Sequence, residues 1–161
     1  MVLGLSVVLA VLALAGAPAS TTVLCNPSLP PRGLEGEALP SVIHIAPGGA
    51  ITPGPLDTIV IGPTACAGLL YAAATPSERA AIRRLNPGLD ESVLVGAGLQ
   101  VALHEANHVA LDSTDECAVE KATRSEVNSL IVRYADPGRS RAAETQATAS
   151  DASLPPQYHG C

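Results

Sequence analysis

Tyr71, Tyr134 and Tyr158 are the only aromatic residues in this chain of 161 residues, which has no Trp and no Phe. That scarcity restricts the fold more than any other feature. A core here has to be built from Ala, Val, Leu and Ile, which fill space through close helix packing and short strands rather than through rings. The length suits one small domain. The same scarcity removes the stacking platforms on which single-stranded nucleic acid is held. With 15 acidic against 9 basic residues, and no basic cluster beyond Arg83-Arg84, the attraction to phosphate is missing as well. No nucleic-acid partner is expected.

Residues 1–15 carry no charge and read as the apolar stretch of a secretory signal, too short to span a bilayer comfortably. Ala17-Pro18-Ala19 places small residues where a signal peptidase reads them, so cleavage is expected before Ser20. The expectation is a secreted or extracytoplasmic protein, with a membrane contact only if the segment is retained as an anchor. Cysteine usage agrees. Cys25, Cys66, Cys117 and Cys161 form an even set without a CxxC pair, the pattern of two disulfides in an exported chain. Of the three possible connectivities, Cys25 with Cys161 and Cys66 with Cys117 is favoured, because the ends of a domain often lie close together.

The layout expected is a signal peptide over 1–19, a Pro/Gly-rich extended arm over 20–40, an α+β domain over 41–138 and a loose tail over 139–161. Two β-branched runs, 42–45 and 58–61, are bracketed by Pro and Gly and read as two short strands, as in a hairpin. Residues 65–74 are helix formers. Thr75-Pro76-Ser77-Glu78 supplies a cap, a proline at the first helical position and early negative charge for a helix ending near Leu85. Asp90 caps the next helix, in which Gly96 and Gly98 point to close approach of a neighbour and hence to a central position. After the turn at 112–115, a last helix runs from Glu116 to about Tyr134. The fold class is therefore α+β and mainly helical, with two short strands followed by a small helical domain.

The central helix contains His104-Glu105-Ala106-Asn107-His108. Residues four apart share a helix face at about 5–6 Å between Cβ atoms, so both imidazoles can reach one metal ion while Glu105 stands one position round. Neutral imidazole nitrogens suit Zn2+, and a carboxylate beside a water at the open position can take its proton during attack on a carbonyl. Asp112, one turn past His108, is one candidate for a third ligand, and Asp115, Glu116 and Glu120 follow close behind.

HExxH followed by a second helix opening Glu116-x-x-x-Glu120 resembles the gluzincin class of zinc metallopeptidases. It is similar also to small exported bacterial proteins in which HExxH, a brief turn and an Asp-Glu pair precede a Pro-Pro-x-Tyr stretch near a terminal Cys. The resemblance covers about residues 90–161. It implies His104 and His108 as ligands, Glu105 as general base, Glu116 as third ligand, Glu120 as support for a ligating His, and a peptide or protein as substrate. Metzincins do not fit, since Leu111 and Thr114 stand where their Gly and His belong. Only seven residues separate His108 from Glu116, so the two helices have to meet across a very tight turn. Strands at 42–45 or 58–61 are the candidates for pairing with an extended peptide. Each residue also has a plainer reading: solvated charges on a helix face for His104, Glu105 and His108, dipole-favoured acids for Glu116 and Glu120, and a strand residue without a role for His44. Tyr158 and His159 are either an anchored tail or helpers at the site. The competing functional class is a metal-binding or structural exported domain without turnover.

Overall fold

A computed structural model describes residues 5–26 and 36–135. In chain order the elements are α1 (Leu5–Ala15), β1 (Thr22–Cys25), β2 (Gly36–Pro40), β3 (Ile43–Ile45), β4 (Ile51–Pro53), β5 (Leu56–Ile61), α2 (Pro63–Ala73), α3 (Pro76–Leu85), α4 (Glu91–Leu111) and α5 (Glu116–Tyr134). The protein is α+β and mainly helical.

Three helices begin where a side chain satisfies backbone donors that the helix itself cannot pair. At α3, Thr75 accepts from the Glu78 N–H while the Glu78 side chain accepts from the Thr75 N–H, a reciprocal box with Pro76 at the first helical position. At α4, Asp90 accepts from Ser92 and Val93. At α5, Asp115 accepts from Cys117 and Ala118. Each of these starts was legible in the sequence.

The strands correct the sequence reading. Among the described residues five form rather than two, and the two expected runs are not partners. Residues 43–45 pair with β4 in a separate two-stranded ribbon, whereas β5 is the middle of a three-stranded sheet ordered β1-β5-β2. β1 runs parallel to β5 and β2 antiparallel to it. Both flanking strands come from the segment expected to be an arm without pairing. The residues of β2 carry little β propensity of their own, and the Thr22-Val23-Leu24 run of β1 is short; what recruits both is β5, whose Ile59 and Ile61 are buried and whose two edges both need hydrogen-bond partners.

α4 is central, packing on α1, α2, α5, β2 and β5. Its crossing with α2 is made by glycine. A Cβ on Gly98 would lie 2.7 Å from the Ala65 carbonyl oxygen and 2.8 Å from Gly68 Cα, and one on Gly68 would run into the Leu94 carbonyl oxygen. With no side chains between them, the helices close to backbone contact, and the core around Leu69, Leu99, Leu103 and Ile131 fills with aliphatic side chains and the buried ring of Tyr71. α1 belongs to the same core: Val7, Val11 and Leu12 are buried, and the Tyr134 hydroxyl donates to the Ser6 carbonyl at 3.3 Å. Among the described residues no helix is long and apolar enough to cross a membrane.

The disulfide expectation is overturned. Cys25 is bonded to Cys66, with Cα atoms 5.8 Å apart, which excludes both Cys25 with Cys161 and Cys66 with Cys117. The reason is the parallel pairing of β1 with β5, which sets Cys25 beside Ile61, one residue before the Gly62-Pro63 start of α2 that carries Cys66. Cys117 is also disulfide-bonded. Cys161, the expected tail over 139–161, and Tyr158 and His159 lie outside the described residues.

Candidate metal centre

The turn between α4 and α5 determines how the site is assembled. Asp112 ends α4 in the left-handed region at φ 44°, ψ 50°, a conformation that Asp tolerates better than most residues. Its N–H returns to the Val109 carbonyl and that of Ser113 to the His108 carbonyl, so the chain reverses within four residues and α5 starts at Glu116. The Asp112 carboxylate accepts from the Leu56 N–H at 3.2 Å, which ties the reversal to the start of β5. Asp112 is thus a turn residue, and as a third ligand it is superseded.

The reversal lays the first turn of α5 against the last turns of α4. His108 Nδ1 is 2.7 Å from the Ser113 carbonyl oxygen, an atom that can only accept, so Nδ1 carries the proton and Nε2 presents its lone pair. His104 Nδ1 is 3.2 Å from Glu120 Oε2, which gives its ring the same sense. The two Nε2 atoms stand 3.2 Å apart, and Glu116 Oε2 lies 3.1 Å from that of His104 and 3.4 Å from that of His108. His104, His108 and Glu116 are therefore brought to one spot, as a group that could hold a metal ion.

The distances test that fit. Four ligands at about 2.0–2.1 Å around zinc form a tetrahedron with edges of about 3.3–3.4 Å. The three edges here, 3.1, 3.2 and 3.4 Å, are close to that value. The chemistry of the donor set points the same way, because with both Nδ1 atoms protonated the three inner atoms are all acceptors in mutual contact. Such a set is repulsive unless a cation or a proton lies among them.

Glu120 is 2% exposed and spans two partners, taking the His104 Nδ1–H on one oxygen and the Arg124 Nε–H, at 3.1 Å, on the other. Asn107 lies between the histidines in sequence but points into α5, donating to Thr123 Oγ1 at 3.2 Å and pinning the helices together one turn further along. Side-chain exposure is 8% for His108, 15% for His104 and 34% for Glu116, so solvent reaches the cluster from the Glu116 side.

Burial alone would lower the His104 pKa. The hydrogen bond to Glu120 and the charges of Glu105, Glu116 and Glu120 outweigh it, and the net direction is upward. Glu105 is 5% exposed. Burial pushes its carboxyl up to about 7; His104 pulls against this, Glu116 and Glu37 reinforce it, and the Ala38 N–H, which donates to the carboxylate, opposes it.

The last two residues named belong to β2, the element that sequence reasoning missed. β2 is an edge strand, and its Gly36 and Ala38 face Glu105. Of the two strands expected to pair with a peptide, the second has no open edge. Residues 58–61 are paired on both sides within the sheet, and residues 43–45 belong to the separate ribbon. The only local signal for β2 was the alternation Gly36-Glu37-Ala38-Leu39, too short to stand out from a Pro/Gly-rich segment. His44 is exposed on β3, opposite Thr52. Comparison with models of protein families, with curated proteins and with solved structures finds no match for this chain.

Proposed function

We propose that the protein is an exported zinc metallopeptidase, with the ion held by His104, His108 and Glu116 and with Glu105 as general base. The observation that carries this reading is the triangle of acceptor atoms with edges of 3.1–3.4 Å. Two imidazoles and one carboxylate suit zinc over calcium or magnesium, which take all-oxygen shells. When bound, the ion supplies Lewis-acid polarisation of a water or of a peptide carbonyl.

The chain's own groups do the rest. The Ser113 carbonyl and Glu120 hold the two Nδ1 protons and so keep both Nε2 atoms turned inward. Glu105 takes a proton onto its carboxylate from the attacking water and returns it to the leaving amine. The outer edge of β2 runs beside Glu105 and offers backbone groups to an extended peptide. Export draws on the uncharged run at residues 1–15. Where the run is kept, its residues 5–15 form α1, part of the core, and N-terminal sequencing of secreted material distinguishes a start at Ser20 from one at Met1.

One observation favours a second reading, metal binding without turnover: Glu105 is nearly enclosed, with β2 lying over it. Elemental analysis, a chelator-sensitive peptide-hydrolysis assay and the Glu105→Gln variant separate the two. The metallopeptidase reading expects one zinc per chain in both proteins and hydrolysis in the parent alone. No zinc in the parent refutes both readings. Zinc without hydrolysis leaves the second.

A further inference from the structure

Gly36 opens β2 and is buried, and the volume in which its side chain would stand is filled by Glu105. A Cβ there would lie 2.6 Å from Glu105 Cγ, 2.7 Å from Oε1 and 2.9 Å from Cδ, closer than Cβ atoms approach other heavy atoms. Neither backbone is free to give way. β2 is paired along β5, Gly36 opposite Ile61 and Ala38 opposite Ile59. α4 is already in backbone contact with α2 through Gly98 and Gly68. An added methyl group would therefore be accommodated by the Glu105 side chain, the softest of the three. Two residues along the same strand, the Ala38 N–H donates to the carboxylate that Gly36 admits.

We infer that Gly36 is a positioning residue for Glu105: the side chain missing from β2 is the slot in which the carboxyl is seated. The inference rests on the reading of Glu105 as general base and assigns β2 a second task beside peptide pairing. It explains why a strand with so little propensity of its own lies across α4 at the HExxH turn. The glycine is needed for space, since its φ is not in the positive range where glycine is favoured for its backbone freedom.

The test is a double-mutant cycle read in two ways. Urea unfolding of the metal-free parent, Gly36→Ala, Glu105→Ala and the double variant measures the seat itself. Gly36→Ala should lower the midpoint when Glu105 is present. It should leave the midpoint unmoved or raised when Glu105 has been cut back, because alanine at an ordinary φ restricts the unfolded chain. Equal shifts in the two backgrounds overturn the inference. The zinc-loaded Gly36→Ala protein then measures the consequence for the reaction. It should hold one zinc per chain, keep KM within about twofold, and lose on the order of tenfold or more in kcat, since small displacements of a reacting group are costly. An unchanged kcat also overturns the inference. Should the parent neither bind zinc nor hydrolyse peptide, the metallopeptidase reading fails by itself, and the two midpoint shifts still decide whether Gly36 seats Glu105.

Discussion

Replacing Glu105 by Gln should make the metal-free protein more stable above neutral pH while leaving it unchanged in mild acid. In the folded chain the Glu105 carboxyl is pushed from its ordinary 4.5 up to about 7, first by burial and then by Glu116 and Glu37, with His104 and the Ala38 N–H pulling the other way. Between these two values the folded state binds a proton that the unfolded state has released, so stability falls as pH rises from about 4.5 and levels off above about 7. At about 1.4 kcal/mol for each tenfold change in proton affinity, the full loss is about 3 kcal/mol. Glutamine keeps an acceptor for the Ala38 N–H and cannot ionise, so its stability lacks this fall. His104, whose pKa is also raised, contributes stability in acid that is lost as pH rises through its folded value; part of that rise comes from the Glu105 charge itself, so the difference between the two proteins reports the coupled pair. Urea unfolding followed by circular dichroism in chelator at pH 5, 6, 7 and 8 measures the effect. The two proteins should coincide near pH 5 and separate to about 3 kcal/mol by pH 8, which for a chain of this size is about 6–12 °C in melting temperature. Parallel curves across the range would show that Glu105 is not enclosed as described.

Glu120→Ala should weaken zinc binding by about 10–100-fold in competition with a chromophoric chelator, because the His104 Nδ1–H loses its acceptor and the ring its orientation. Gly98→Ala places a methyl group 2.7 Å from the Ala65 carbonyl oxygen and should cost about 1–3 kcal/mol or more in urea unfolding without altering the metal ligands. Converting both Cys25 and Cys66 to Ser opens a link across 41 residues and should cost about 4 kcal/mol by the loop-entropy relation; a non-reducing peptide map of the parent should show the same two cysteines joined.

The helical half of the protein was legible in its sequence because helix starts are local events. Thr75, Asp90 and Asp115 each cap donors two or three residues away, and the four-residue spacing of His104 and His108 is enough to put both rings on one face. Helical spacing likewise put Glu116 and Glu120 one turn apart, but whether either meets the histidines depends on how sharply the chain reverses, and that was decided by the left-handed Asp112 and the Ser113 carbonyl. The strands obeyed no local rule. β1 and β2 exist because β5 has two edges to satisfy and a buried face to cover, so two short runs, the second of weak propensity, were recruited from a segment that reads as an arm. The disulfide followed from that pairing, since Cys25 meets Cys66 only when β1 lies parallel to β5. Sequence alone therefore determined the capped helices and the shared face of His104 and His108 on α4, through contacts that span a few residues. Tertiary structure decided what closes around Glu105 and which cysteines meet, because those contacts join residues distant along the chain and arise only when strands find their partners.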